Sequence, residues 1–108
     1  MTDPNPVSLF AAFADSTRLR LIQILANQPA GAALCVKGLA MRLEVSQPAV
    51  SQHLRVLRNV GLVHPVRWGQ RVHYYLDRER IAWLQRYLGE LRDEDHPTGE
   101  CPWQKSAS

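Results

Sequence analysis

Residues Ser46 to Val63 read SQPAVSQHLRVLRNVGLV, and the fold turns on how this stretch is read. The Ser46 hydroxyl is placed to accept from the free N–H groups of a first helical turn, and Pro48 fits that turn because no hydrogen bond is lost there. A helix starts here. From that start Val50, Leu54 and Leu57 recur at i, i+4 and i+7, the spacing of one buried stripe. Gln47, Ser51, Gln52, Arg55, Arg58 and Asn59 take the rest of the surface. Gly61 closes the helix as Gly does just past a C-terminus, and Leu62-Val63 begins an extended segment. A short helix showing hydroxyls, amides and guanidiniums, with no carboxylate, suits a groove lined by phosphates and base edges.

Working upstream, Glu44-Val45 is a tight turn that joins this helix to a shorter one carrying Val36, Leu39, Ala40 and Leu43. Two short helices joined in this way, the second amphipathic and basic, form the helix-turn-helix pattern. Asn27 to Ala33, with Pro29 and Gly31, reads as a loop. Before it, Asp15 or Ser16 caps a helix whose apolar residues Leu19, Leu21, Ile22, Ile24 and Leu25 nearly encircle it, so that helix is central to the core. Val7, Phe10, Phe13 and Ala14 mark a short first helix.

Downstream of Gly61 the apolar period changes from about 3.6 to 2. Leu62, His64, Val66 and Trp68, then Val72, Tyr74 and Leu76, read as two strands joined at Gly69-Gln70, where a leading Gly suits a type II′ hairpin. Pro65 has no N–H to donate, so its strand lies at an edge or turns that position to solvent. Arg67, Gln70 and Arg71 cluster at the tip, giving a second basic arm beside the basic helix. The aromatic group Trp68, Tyr74 and Tyr75 reads as packing within the hairpin, and His64 and His73 as residues of its surface or a cross-strand pair. Asp77 then caps a last helix in which Ile81, Leu84, Leu88 and Leu91 step by three, four and three, a narrow seam suited to a partner helix, with Trp83 and Tyr87 widening it.

The expected fold class is therefore mainly α with a small β-hairpin, a winged helix-turn-helix occupying residues 1–92 and dimerising through its first and last helices. Residues 93–108, DEDHPTGECPWQKSAS, lack any period and form an acidic, flexible tail. At 108 residues, 45% hydrophobic and 21% charged, the composition is that of one soluble domain near the size at which a partner's surface helps stability. No apolar run approaches the roughly 18 residues of a membrane span, and the start carries no secretion signal, so a cytoplasmic location with no membrane partner is expected. The net charge of +3 conceals an asymmetry: between Lys37 and Arg80 eight Lys or Arg stand against Glu44, Asp77 and Glu79, a local +5. That middle faces a polyanion or is an ordinary solvated surface.

Four segments together resemble the arsenic-repressor (ArsR/SmtB) family of winged-helix transcription regulators: FADSTRLRLIQIL (Phe13 to Leu25), LCVKGLA (Leu34 to Ala40), LEVSQPAVSQHLRVLRNVGLV (Leu43 to Val63) and RWGQRVHYYL (Arg67 to Leu76). The likeness runs in one register over about Phe10 to Leu91. It implies a homodimeric repressor whose Ser46 to Val60 helix enters the major groove, whose hairpin is the wing, and whose ligand weakens DNA binding. Two such helices about a two-fold axis read an inverted-repeat operator. On that geometry Gln47, Ser51 and Gln52 read base edges and His53 is a weaker reader. Arg55 meets guanine or phosphate, while Arg58, Arg67, Gln70, Arg71 and Lys37 serve backbone contacts at the helix flank and wing. Phe10, Ile81, Leu84, Leu88 and Leu91 are the expected dimer residues.

The resemblance also implies places for a sensor, which this sequence keeps only in part. The family's C-x-C pair at the third helix is here Cys35-Val36-Lys37, one thiol and a cation, and a soft trivalent ion such as arsenite wants three sulfurs. The zinc and cobalt site on the last helix needs an Asp and three His, and Arg78 to Arg92 has no His. Cys101, near His96, Asp93 and Asp95, offers a second thiol that with Cys35 would take zinc or cadmium, or form a disulfide or persulfide bridge. The plain alternative makes Cys35 a small packing residue and Cys101 an incidental thiol. No nucleophile–base pair, phosphate loop, H-E-x-x-H or G-x-S-x-G points to an enzyme. The other class left open is a winged-helix module for protein or RNA contacts.

Overall fold

The computed structural model describes residues 3–29 and 32–92. In chain order it contains α1 (Pro6–Phe13), α2 (Ser16–Ala26), β1 (Leu34–Cys35), α3 (Val36–Leu43), α4 (Gln47–Asn59), β2 (Val63–Trp68), β3 (Arg71–Leu76) and α5 (Arg78–Glu90). Each helix opens on a side chain that accepts from its first turn: Asn5, Asp15, Cys35, Ser46 and Asp77. Of the two expected caps for α2, Asp15 takes the role, accepting from the Arg18 N–H at 3.0 Å. Ser46 accepts from the Ala49 N–H at 3.2 Å, with Pro48 in the first turn.

The turn between α3 and α4 is made by Glu44 in the left-handed region, φ 57°, so the helix-turn-helix is closed without a glycine. At the other end of α4, Gly61 (φ 77°) donates to the Arg58 carbonyl and Leu62 to the Leu57 carbonyl, both at 2.9 Å. This paired closure is the Schellman arrangement, and it turns the chain into β2.

Val50, Leu54 and Leu57 are fully enclosed, as their spacing requires. They meet Leu21, Ile22 and Leu25 of α2, Leu39, Ala40 and Leu43 of α3, and Leu62, Val63 and Leu76 at the root of the hairpin. No polar residue is buried among the described residues. In α1 the buried residues are Leu9 and Ala12, three apart and turned inward, whereas Val7 and Phe10 are 74% and 40% exposed. The first helix therefore anchors through Leu9 and Ala12 and leaves Phe10, an expected dimer residue, partly exposed. Leu84 corrects the reading of α5: it is buried in its own protomer's core, while Leu88 and Leu91 remain 48% and 67% exposed.

The sheet holds three antiparallel strands in the order β1-β3-β2 rather than the two expected. The added strand, only two residues long, pairs Leu34 with Tyr74 and Cys35 with His73. The hairpin itself has the expected two-residue connection, with Trp68 opposite Arg71 and Gly69 at φ 64°. Pro65 lies on β2, an edge strand, where its missing N–H breaks no ladder. His64 and His73 are not cross-strand partners; they face Tyr75 and Val66. The His73 ring lies 4.7 Å from that of Trp68, and its Nδ1 is enclosed without a hydrogen-bond partner. Trp68 is half-exposed at the wing rather than packed away with Tyr74. The expected tail, with His96 and Cys101, lies outside the described residues.

Candidate nucleic-acid interface

Because α4 buries one stripe, its remaining surface is fixed by the helical period. Gln47, Ser51, Gln52, Arg55 and Arg58 are all exposed. The free first-turn N–H groups of α4 and the absence of any acidic residue along it make its N-terminal half attractive to an anion. Lys37 stands exposed on α3, and Arg67, Gln70 and Arg71 are exposed on the wing. Among the described residues no carboxylate pairs with Lys37, Arg55, Arg58, Arg67 or Arg71, since the ion pairs present are His53–Asp15 and His64–Asp77.

Two depressions join α4 to the hairpin. In one, of about 310 Å³, Gln47 meets Lys37, Arg71 and the half-buried Cys35. In the other, of about 340 Å³, Arg58 meets Arg67 beside Pro65 and Tyr74. The fold thus gathers residues from three separate elements into one cationic front. Ser51, Gln52 and Arg55 lie on α4 between these two ends.

His53 is the exception among the expected readers. Its side chain is about three-quarters covered, with Nδ1 3.7 Å from Asp15 Oδ2 and 3.4 Å from Arg18 Nη1, so it faces the α1–α2 corner rather than the open helix surface. The Arg18 N–H lowers the Asp15 carboxyl below the usual range, against the opposing effect of burial and with help from His53 when its ring is charged. At the wing root, His64 Nε2 lies 2.6 Å from Asp77 Oδ2. Burial pushes the Asp77 carboxyl up, but the His64 hydrogen bond and the Arg80 N–H outweigh it, leaving Asp77 below the usual carboxylate range.

Cys35 is a cap as well as a thiol. Its Sγ accepts from the Gly38 N–H at 3.4 Å at the start of α3. Its polar neighbours in the depression are Lys37, Gln47 and Arg71, which supply no second metal donor, and no group of three or more His, Cys, Asp or Glu among the described residues is arranged to hold a metal ion. The described residues therefore do not fit a thiophilic ion.

Residues 15–64 match the family described as "Bacterial regulatory protein, arsR family". The chain is also 38% identical over 85 residues to the arsenical resistance operon repressor of Escherichia coli (strain K12), covering 79% of this chain and 70% of that protein. The chain belongs to the arsR family of bacterial regulatory proteins. Among solved structures, this arsR-family chain is similar to an ArsR-like transcriptional regulator from Rhodococcus sp. RHA1, with a TM-score of 0.69 and 31% identity over 80% of this chain and 77% of that one. It is likewise similar to HlyU from Vibrio cholerae N16961, with a TM-score of 0.63 and 36% identity over 79% of this chain and 88% of that one. As an arsR-family member it is a winged-helix, DNA-binding transcription regulator, with α3 and α4 as the helix-turn-helix and β2–β3 as the wing.

Arg18 and Asp15 were not among the residues that sequence reasoning brought to this site. No local pattern links them to His53, which lies 35 positions beyond Arg18. Among the described residues no helix is long and apolar enough to cross a membrane.

Proposed function

We propose that this arsR-family chain is a homodimeric repressor that binds an inverted-repeat operator and leaves it when an effector acts on Cys35. The observation that carries the first part is the front of unpaired cations and amides shared by α3, α4 and the wing. Gln47, Ser51 and Gln52 read base edges from the N-terminal half of α4; Arg55 meets a guanine or a phosphate; Arg58, Arg67, Gln70, Arg71 and Lys37 hold the backbone. Dimerisation supplies the second reading helix. It is supported by the outer apolar face that α1 and α5 leave uncovered, including Phe10, Leu88 and Leu91. Ile81, only partly covered, adjoins the apolar groove between α2 and α5.

The effector reading rests on where Cys35 sits. A substituent on its sulfur would displace the Gly38 cap and enter the depression shared with Lys37, Gln47 and Arg71, where the reading helix meets the wing. We assign the effector to thiol-reactive species, including sulfur oxidants, because the described donors do not form a site for a bound metal. Cys101 and His96 lie outside the described residues and enter only as a second thiol and a donor to be tested.

Gel shift with DNA upstream of the chain's own operon tests the binding. A shift by the reduced protein is expected, and its absence would favour a winged-helix module for protein or RNA contacts. Arsenite, cadmium and polysulfide are then added in turn to wild type, Cys35→Ser and Cys101→Ser. Release that persists unchanged in both variants would rule out the thiol reading.

A further inference from the structure

We infer that Arg18 is a positioning residue for DNA binding, through which the α1–α2 corner fixes the ring of His53 and thereby the seating of α4. The inference rests on the DNA-binding reading of α4 and extends it to a residue outside the interface. Arg18 donates from Nε to the Ala12 carbonyl at 2.8 Å and from Nη2 to the Ala11 carbonyl at 3.2 Å. Both carbonyls belong to the last turn of α1, where Ala11 also accepts from the Ala14 N–H at 3.2 Å. Its remaining arm, Nη1, stands 3.4 Å from His53 Nδ1 on the reading helix. One planar fork therefore spans the end of α1 and the flank of α4, while its own backbone N–H anchors the Asp15 cap.

The contact selects one tautomer of the ring. A guanidinium has hydrogens to give and no lone pair to accept with, so this contact is a hydrogen bond when the His53 lone pair is on Nδ1 and the proton on Nε2. Asp15 Oδ2, 3.7 Å from the same nitrogen, is the other charged group against this ring and favours a proton on Nδ1, so Arg18 and Asp15 compete for it. Among the described residues Nε2 has no partner, and it is not enclosed. A side chain expected to read bases is thus held from behind, and its position depends on α1. Since α1 also carries Phe10 on its outer face, the seating of the reading helix is set from the side of the molecule on which the partner is proposed to bind.

The test is a cycle of the full chain with Arg18→Met, His53→Ala and the double variant, with affinity for the operator duplex measured by fluorescence anisotropy. Each single change is expected to weaken binding about tenfold, and the double to bind no more weakly than the weaker single, because both remove one link. Losses that multiply would overturn the inference, as would His53→Ala relaxing preference at one base pair with no effect of Arg18→Met. If Arg18→Met does not fold, Arg18→Lys replaces it, keeping the charge and losing the fork. Imidazole nitrogen NMR reads the link without DNA: wild type should show the Nε2–H form, and the Arg18 variant a mixture of tautomers. Identical tautomer populations in both would also overturn the inference. Failure of the wild type to bind any duplex would instead overturn the proposed function and leave the tautomer result standing.

Discussion

Gln52 and Arg71 are both exposed and both offer hydrogens to a duplex, yet their removal is expected to fail in different ways. Gln52→Ala should change which operator variants win in competition, by about 1–3 kcal/mol at a single base pair, because an amide is matched to one base edge. Arg71→Ala should weaken all duplexes alike and lower the slope of log affinity against log salt by about 1, because it neutralises one phosphate. A wild-type affinity indifferent to salt would remove the phosphate assignments altogether. The exposure of Gln52 was legible in the sequence because the stripe of Val50, Leu54 and Leu57 leaves it only one side to occupy, and that of Arg71 because it follows the Gly69-Gln70 turn. His53 was less so. It borders that stripe, and its direction is settled by Asp15 and Arg18, whose approach is purely tertiary. The capping role of Cys35 was hidden for another reason: a thiol is a poor cap, and its residue type gives no such signal.

At the scale of elements, two glycines with the same backbone sign make a controlled comparison. Gly69 at the wing tip has nothing within 4 Å of where a Cβ would stand, so Gly69→Ala should lose only the backbone preference, about 1–2 kcal/mol. At Gly61 the added Cβ would lie 2.7 Å from the Arg80 guanidinium, so Gly61→Ala should lose that and the displacement of Arg80 as well. Urea unfolding of the two variants measures the difference, and equal losses would mean that Arg80 moves aside freely. The cap of α5 gives a pH-dependent case. Asp77→Ala should cost about 0.5–2 kcal/mol at neutral pH. The folded carboxyl titrates below its unfolded value of about 3.9, so its contribution is fully present above that value and is lost as pH falls through the folded one. Melting curves of wild type and variant should therefore converge below about pH 4. Helices with strong caps and clean stripes were readable at this scale. β1 was not, because two residues carry no period, and the inner face of α1 was left unassigned because apolar residues lie on both of its sides.

For the whole molecule, α5 divides its apolar residues between two tasks. Leu84 is buried in the core, and Leu88 and Leu91 are left exposed, where the proposed dimer would use them. Leu88→Glu combined with Leu91→Glu is expected to give a folded monomer by sedimentation with much weakened operator binding, whereas Leu84→Glu should unfold the chain, since a buried unpaired carboxylate is far costlier than an exposed one. A dimer persisting in the first variant would place the partner on another face. The sequence supplied the period of this seam but not its division, which depends on how far α5 stands from the core. The sheet carries a different consequence for an assembly of two chains. Its outer edges are blunt: β2 carries Pro65, and β1 offers only two residues. Two wings concentrated on one stretch of DNA would otherwise be templates for edge-to-edge strand pairing and aggregation, and a missing N–H on one side and a shortened strand on the other deny that pairing a continuous ladder.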